Sequence, residues 1–441
     1  MEFNPVMLKK IENMYDSGDE ELFANTISNN SIQEVFLNRS LTQNYTYSFT
    51  KKIPTRTKIS DQEHSGRCWL FSFTNMLRIS FIKKYKLKED FYFSNTHLFF
   101  YDKLEKAFFF LKNIEKTKKI PYESRSMSFL LSDPVGDGGF WNMACNLINK
   151  YGLVPESNMR ESRHSSDTEE LCDILKTNLL IFTKDIRSGK KYNIDKMMAH
   201  IYKILCYFLG KPLKKFSWEY YNKKDKLNTT KMLTPLEFSK KFVKFKSDEY
   251  ICLVNYPLKK FPMYKKYSIK YCNNMVGGDK TEFLNVPIKD MRKYTILSLN
   301  KNHPVWFGSD VGKFFQSSSG ILDENVFTFD KLFQKDIKEF SKRDRIILKN
   351  SSATHAMVFI GYDKINKKTC DVDKWLVENS WGEDIGNLGY MRMSNKWFNK
   401  FVYQVIVKKA LLSKEILKVN KSKAKIIMPW DSLSCDAMML K

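Results

Sequence analysis

The 441-residue sequence contains no apolar stretch close to the roughly 20 residues that a membrane-spanning helix needs. Its apolar runs, such as residues 107–111 and 204–209, are far shorter. The first residues carry charges at Lys9, Lys10 and Glu12 and lack an apolar central segment, so they do not have the composition of a secretory signal. These absences predict a cytoplasmic protein without membrane contact.

The sequence also lacks a C-x-x-C pair, which argues against a structural zinc site. Eight thiols in a long cytoplasmic chain are expected to stay reduced, and most are expected to act as small core residues. Cys68 is the exception because of its neighbours. The eight cysteines are Cys68, Cys145, Cys172, Cys206, Cys252, Cys272, Cys370 and Cys435.

Acidic residues are scarce relative to basic ones, and the formal net charge is +25. Such a charge predicts weak, non-specific attraction to nucleic acids. The lysines are scattered along the chain, and no helix-turn-helix, zinc-finger or aromatic RNA-binding pattern is present. A solvated, lysine-rich surface is therefore the simpler interpretation.

One cysteine lies at the predicted start of a helix. From Cys68 onward, apolar residues recur at three- and four-residue steps, as on one face of a helix. A helix N-terminus stabilises an anion and favours the thiolate. Gln62, six residues upstream, could donate a side-chain N–H to a developing oxyanion together with the backbone N–H of Cys68.

The second half of the chain supplies two partners for a reactive thiol. His355 opens one apolar run, and Asn379 closes the next one before Ser380, Trp381 and Gly382. In this hypothesis His355 is the base and acid, Asn379 orients its ring, and Trp381 covers that hydrogen bond. His64 is too close to Cys68 in sequence to be a good candidate base. Cysteine, histidine and asparagine in this order are typical of a papain-like hydrolase.

The pattern along the chain predicts an α+β protein. Residues 5–14 are predicted to form a short helix, and polar connecting chain follows it up to about residue 60. Residues 94 to about 250 read as mainly helical, whereas the later segments read as short strands whose connections favour antiparallel pairing. The active site is therefore expected in the cleft between a helical half that carries the cysteine and a barrel-like β half. The predicted regions are an N-terminal arm (1–60), the helical half (61–110), a mainly helical insertion (111–250), the β half (251–428) and a C-terminal arm (429–441).

The segments 65–71, 354–357 and 377–383, around Cys68, His355 and Asn379, resemble the bleomycin hydrolase family, which includes the bacterial aminopeptidases C. The resemblance begins near residue 55 and includes the segments around Cys68, His355 and Asn379. Cys68 and His355 are 287 residues apart, whereas papain-type enzymes separate these partners by about 130–150 residues. The difference is consistent with the predicted helical insertion. Further similar segments are 137–139, 234–238, 274–278, 305–313 and 396–398.

The resemblance implies a cysteine aminopeptidase that acts on short peptides with a free N-terminus, with bleomycin hydrolysis as a possible side activity. It also implies a homohexameric ring and no metal or organic cofactor. The C-terminal arm would lie in the cleft, where the terminal carboxylate of Lys441, or of an earlier residue after trimming, would pair with the substrate α-ammonium. Two alternatives are a basic nucleic-acid-binding ring with secondary peptidase activity and a papain-like endopeptidase with a displaced tail.

Overall fold

The computed structural model describes residues 2–14, 18–54, 58–88, 90–189, 191–329, 332–333, 337–364 and 372–433. Lys441, Cys435 and Cys370 lie outside these ranges, as does most of the predicted C-terminal arm. The helices are α1 (Pro5–Glu12), α2 (Gly18–Asn29), α3 (Ile32–Val35), α4 (Arg39–Gln43), α5 (Cys68–Tyr85), α6 (Asn95–Lys116), α7 (Arg125–Ser132), α8 (Trp141–Tyr151), α9 (Arg163–Ser166), α10 (Glu169–Arg187), α11 (Ile194–Leu209), α12 (Pro235–Phe238), α13 (Ile288–Asn300), α14 (Lys342–Ile347), α15 (Asn395–Phe401) and α16 (Lys414–Asn420).

The strands lie mostly in the second half of the chain. They are β1 (Lys51–Lys52), β2 (Glu219–Tyr221), β3 (Leu227–Thr229), β4 (Tyr250–Val254), β5 (Lys265–Ile269), β6 (Glu282–Asn285), β7 (Val305–Ser309), β8 (Phe315–Gln316), β9 (Ile321–Leu322), β10 (His355–Lys364), β11 (Val372–Glu378), β12 (Tyr390–Ser394), β13 (Val402–Lys408) and β14 (Lys425–Ile427).

Helix α5 is the central helix of the molecule. The sequence predicts one apolar face, but the structure buries α5 on nearly every side, from Cys68 through Ile79 and again at Phe81. Its polar side chains have partners that make this burial possible. Ser72 donates to the carbonyl of Ala356 (2.7 Å), and the Arg78 guanidinium forms an ion pair with Glu378 (2.8 Å). Helix α5 is therefore fixed directly onto β10 and the end of β11.

A layer of helices covers the side of α5 that faces away from the sheet. Helix α6 packs against α5, α8, α10 and α11. Ser94 caps α6 by accepting a hydrogen bond from the backbone of His97, and Asn193 caps α11 in the same manner. The hairpin β2–β3 is a separate two-stranded sheet within this otherwise helical region.

The twelve-stranded sheet has the order β14-β5-β6-β4-β13-β7-β10-β11-β12-β9-β8, with β1 paired to β10. Most neighbouring strands are antiparallel, as the short connections predict. Three pairs are parallel: β4–β6, β12–β9 and β14–β5. The central strand β10 is buried over its first eight residues. The chain is therefore α+β, with a mainly helical region between α5 and the sheet, and the sheet is mixed.

The N-terminal arm contains more structure than the predicted single helix. The predicted helix begins at Pro5, as expected, and ends at Glu12. Helices α2, α3 and α4 follow it in a region that the sequence suggests is polar connecting chain. Phe36 packs with Ile321, Val326 and Phe327 in a small second apolar cluster. This cluster attaches the arm to the β half of the protein.

Candidate active site

The cysteine begins α5, as the sequence predicts. Cys68 is the first residue of the helix and is 5% exposed. Ser72 lies one turn later on the same helix face, and its hydroxyl contacts the residue that follows His355. The helix packing therefore directs the Cys68 face of α5 toward the start of β10. The thiol also lies at the positive end of an 18-residue helix, which favours an anion.

The histidine and asparagine are hydrogen-bonded to each other. The His355 Nε2 atom lies 2.8 Å from the Asn379 Oδ1 atom, and both residues are buried. The strand register explains this contact. Val358 pairs with Glu378, so extending the antiparallel pairing by one residue places Asn379 on the same sheet face as His355. The indole of Trp381 stacks on the imidazole with ring centroids 4.4 Å apart and an interplanar angle of 27°.

The glutamine is held against the segment that follows Asn379. The backbone N–H of Gln62 donates to the carbonyl of Ser380 (2.9 Å), and the Ser380 hydroxyl donates to Gln62 Oε1 (2.7 Å). Gln62 Nε2 donates to the carbonyl of Ser65 (2.6 Å), which uses one of the two amide N–H groups. The second N–H remains for a ligand. The side chain is thus fixed at both of its polar atoms.

These side chains open onto one cavity of about 1160 Å³. Its walls include Gln62, Cys68, His355 and Trp381, so the cavity joins residues from both halves of the chain. His64 also lines it but is exposed and has no contact that resembles the His355–Asn379 bond. The other histidines, at positions 97, 164, 200 and 303, do not line this cavity.

The cavity has the opposite charge to the protein as a whole. Seven carboxylates line it, against one lysine, Lys176. Burial raises the pKa of the Asp133 and Asp310 carboxyl groups, whereas hydrogen bonds to Asp310 act in the other direction. The acidic residues are Glu63, Asp133, Asp137, Asp167, Glu169, Asp173 and Asp310. Such a lining attracts a cationic ligand group and repels a polyanion.

Sequence reasoning missed the polar cluster beside the cysteine loop. The cluster consists of Asp137, Lys103, Thr168 and Cys172, which belong to three different segments of the chain: the 133–139 loop, α6 and the start of α10. The one signal that the sequence offers here is the Asp-Gly-Gly run at 137–139, which is typical of a break between helices. In the described part of the chain, no group of three or more His, Cys, Asp or Glu side chains is placed to hold a metal ion. No helix in these ranges combines the length and apolar composition that crossing a bilayer requires.

Comparison with known proteins gives matches over nearly the whole chain. The Peptidase C1-like family matches residues 6–434. Bleomycin hydrolase of Mus musculus is 36% identical over 426 residues, which cover 93% of this chain and 93% of the relative. Aminopeptidase C of Listeria innocua is 35% identical over 429 residues, with 96% of both chains covered.

A solved structure shares the fold. The crystal structure of PepW from Lactobacillus rhamnosis superposes with a TM-score of 0.93 at 34% identity. The match covers 98% of this chain and 99% of PepW, so it includes the helical region between the cysteine and the histidine. The helical region that separates Cys68 from His355 is therefore part of the shared fold.

Proposed function

We propose that this chain, which belongs to the Peptidase C1-like family and is a cysteine-type aminopeptidase, removes N-terminal residues from short peptides. The reaction takes place in the cytoplasm and uses a thiolate at Cys68. The observation that carries this proposal is the 2.8 Å contact between His355 and Asn379 on the wall of the cavity that Cys68 also lines. Hydrolysis of bleomycin is a possible second reaction, as the name of the Mus musculus relative suggests.

Each group in the site has a role that its position supports. The Cys68 thiolate attacks the scissile carbonyl and forms an acyl-enzyme. His355 protonates the leaving amine, then takes a proton from the water that releases the acyl group. Asn379 accepts a hydrogen bond from Nε2, which leaves Nδ1 as the nitrogen that serves the reaction. Trp381 covers this ring face and excludes water from the His355–Asn379 bond.

The oxyanion would be held by two donors. Gln62 has one amide N–H in use and a second available, and its orientation is fixed by Ser380 and Ser65. The backbone N–H of Cys68 lies in the first turn of α5, at the positive end of the helix. Where such donors have been removed from other enzymes, each contributed roughly 3–4 kcal/mol to catalysis.

The cavity lining supports a preference for free N-termini. An α-ammonium entering the site meets six carboxylates and one lysine, besides Asp137, whose charge is paired with the buried Lys103, and this favours a cation over a blocked, neutral terminus. The same lining disfavours nucleic acid in the cavity. The charge of +25 supports only weak, non-specific binding on the outer surface, which Cys68→Ala protein should lose in about 150 mM salt.

The C-terminal arm would supply a further carboxylate. Leu433 is buried, and Trp430 packs beneath the guanidinium of Arg125 (4.9 Å) at the start of α7. Ser132, the last residue of the same helix, lines the cavity. Residues 434–441 could span up to about 26 Å if extended, which exceeds the roughly 12 Å length of α7. This reach supports the proposal that the carboxylate of Lys441, or of a residue exposed by trimming, binds the α-ammonium.

We also propose self-association into a hexamer. Helix α1 and its flanks expose Phe3, Val6, Ile11 and Met14, at 48–79% of their surface. Exposed apolar side chains in a group commonly mark a protein–protein contact. Sedimentation at low micromolar concentration should give a species well above the 52.2 kDa chain mass. A monomer under those conditions would contradict the ring.

Paired peptides test the proposed reaction. A short peptide with a free N-terminus and the same peptide acetylated at that position are incubated with wild-type and Cys68→Ala protein. We expect stepwise N-terminal release from the free peptide only, and a loss of kcat on the order of 10⁴ or more in Cys68→Ala. Internal cleavage of the acetylated peptide would favour the endopeptidase alternative. Retention of a tenth of the rate by Cys68→Ala would rule out this nucleophile.

A further inference from the structure

A buried carboxylate joins the three segments that form one wall of the cavity. Asp137 Oδ2 accepts a hydrogen bond from the backbone N–H of Gly66 (3.0 Å), two residues before Cys68. The same oxygen accepts a hydrogen bond from the Thr168 hydroxyl, just before α10 begins. Asp137 Oδ1 accepts one from the thiol of Cys172 on α10 (3.1 Å). One side chain therefore connects the cysteine loop, the 133–139 loop and the start of α10.

The backbone around Asp137 holds the other side of the cysteine. The carbonyl of Asp137 accepts a hydrogen bond from the indole Nε1 of Trp69, the residue after Cys68 (2.8 Å). The contact with Gly66 is close, because a Cβ atom added there would lie 2.6 Å from the Asp137 Cβ atom. Asp137 therefore contacts the chain on both sides of the nucleophile, through its carboxylate and through its backbone.

A buried cation keeps this carboxylate ionised. Lys103 on α6 lies 2.7 Å from Asp137 Oδ1, and its side chain is fully buried. Although burial alone raises the pKa of Asp137, the ion pair with Lys103 and the hydrogen bonds lower it below its ordinary value. The opposite charge likewise raises the pKa of Lys103 despite burial. Asp137 thus remains a charged acceptor throughout the neutral range.

We infer that Asp137 is a positioning residue for the reaction: its carboxylate fixes the Gly66–Arg67–Cys68 loop so that the thiol and the backbone N–H of Cys68 face the scissile carbonyl. The inference rests on the proposed role of Cys68. Asp137 touches no reacting atom, and it acts through the backbone N–H of Gly66. Its removal should therefore lower kcat, because the oxyanion donors and the thiol lose their alignment, and should leave KM nearly unchanged.

Two double variants isolate the hydrogen bond from the buried charge. Asp137→Asn or Asp137→Ala alone would leave Lys103 without its counterion, so both substitutions are made in a Lys103→Met background. The two double variants have the same charge. Asn retains an acceptor oxygen for the N–H of Gly66, whereas Ala does not. Enzyme concentration is fixed by titration of Cys68 with an alkylating inhibitor, and kcat and KM are measured with an aminoacyl fluorogenic amide.

We expect the Lys103→Met/Asp137→Ala enzyme to lose kcat on the order of tenfold to a hundredfold relative to the wild-type enzyme, with KM changed by no more than about twofold. The Lys103→Met/Asp137→Asn enzyme should recover most of the lost kcat. The control is Glu324→Gln, which removes the ion pair between Glu324 and Lys400 (2.6 Å). Neither residue lines the cavity. This control should lower the melting temperature while preserving kcat per titrated site.

The result that overturns the inference is equal kcat in the Asn and Ala double variants. If the Ala double variant does not fold, Gly66→Ala replaces it, since the added Cβ forces apart the same two segments without changing any charge. Full kcat in Gly66→Ala would equally overturn the inference. A failure of the proposed function is distinguishable, because then Cys68→Ala would leave turnover intact in the Lys103→Met background as well.

Discussion

The ion pair between Arg78 and Glu378 should be the most sensitive buried contact between the two halves of the protein. Their charged atoms are 2.8 Å apart, and the two side chains are 1% and 0% exposed. Burial alone lowers the pKa of Arg78, but the Glu378 carboxylate raises it above the ordinary value. Arg78 lies on α5 and Glu378 ends β11, so the pair joins the helix of Cys68 to the strand that precedes Asn379.

Glu378→Gln keeps the shape of the side chain and removes its charge. The guanidinium then stays buried without a counterion, which costs roughly 3–5 kcal/mol of unfolding free energy. Replacing both groups, as Arg78→Met with Glu378→Gln, should cost much less, because no isolated charge remains in the interior. The coupling between the two substitutions should therefore amount to several kcal/mol.

Denaturant unfolding followed by tryptophan fluorescence measures these differences. The exposed pair Lys88–Asp225 provides the control, since its side chains are 53% and 67% exposed. Asp225→Asn should change the unfolding free energy by less than about 1 kcal/mol. A Glu378→Gln protein that loses no more than the Asp225→Asn control would refute the reasoning.

Two further outcomes follow from buried groups, one in the site and one in the core of the helical region. Asn379→Ala removes the acceptor of His355 Nε2 and should lower kcat on the order of 10- to 100-fold. The control Asn228→Ala, in the β2–β3 hairpin, should leave kcat unchanged. Equal kcat values for these two variants in steady-state assays would contradict the orienting role of Asn379. Burial lowers the pKa of His97 from 6.5 to about 4. The contribution of the neutral His97 side chain to the unfolding free energy is therefore complete above pH 6.5. Roughly 3 kcal/mol of unfolding free energy is lost as the pH falls toward 4. His97→Phe should remove this part of the acid sensitivity in unfolding titrations; an unchanged pH dependence would refute the assignment.

The elements that carry the site could be predicted from local sequence. Cys68 begins a helix, His355 begins a strand and Asn379 follows the next strand, because each lies where an apolar pattern starts or stops. The mainly antiparallel pairing followed from short connections between strands. The roles of these residues in catalysis, and the domain boundaries, remain predictions.

The contacts that fix those elements relative to one another could not be predicted. Arg78 and Glu378 are 300 residues apart in sequence, and nothing local to either indicates an ion pair. Asp137 reads simply as part of an Asp-Gly-Gly breaker, although its carboxylate is buried against Lys103. Polar and charged residues normally indicate surface, so single-sequence patterns assign these side chains to solvent.

The N-terminal region and the hairpin show a second limit. Helix α2 contains few apolar residues, so its apolar periodicity is weak. Its Phe23 side chain packs against Phe36. Strands β2 and β3 are three residues each, and Tyr220 of β2 packs against Tyr85 at the end of α5. Tertiary contacts therefore stabilise both elements more than local propensity does.

The alkylation rate of Cys68 as a function of pH tests the central claim most directly. Iodoacetamide is reacted with the wild-type protein and with His355→Ala, and modification of Cys68 is followed by peptide mass. If His355 stabilises the thiolate, the wild-type thiol should react well below pH 8, and His355→Ala should move the profile toward the ordinary thiol pKa of about 8.5. Identical profiles for the two proteins would contradict the thiolate–imidazolium pair.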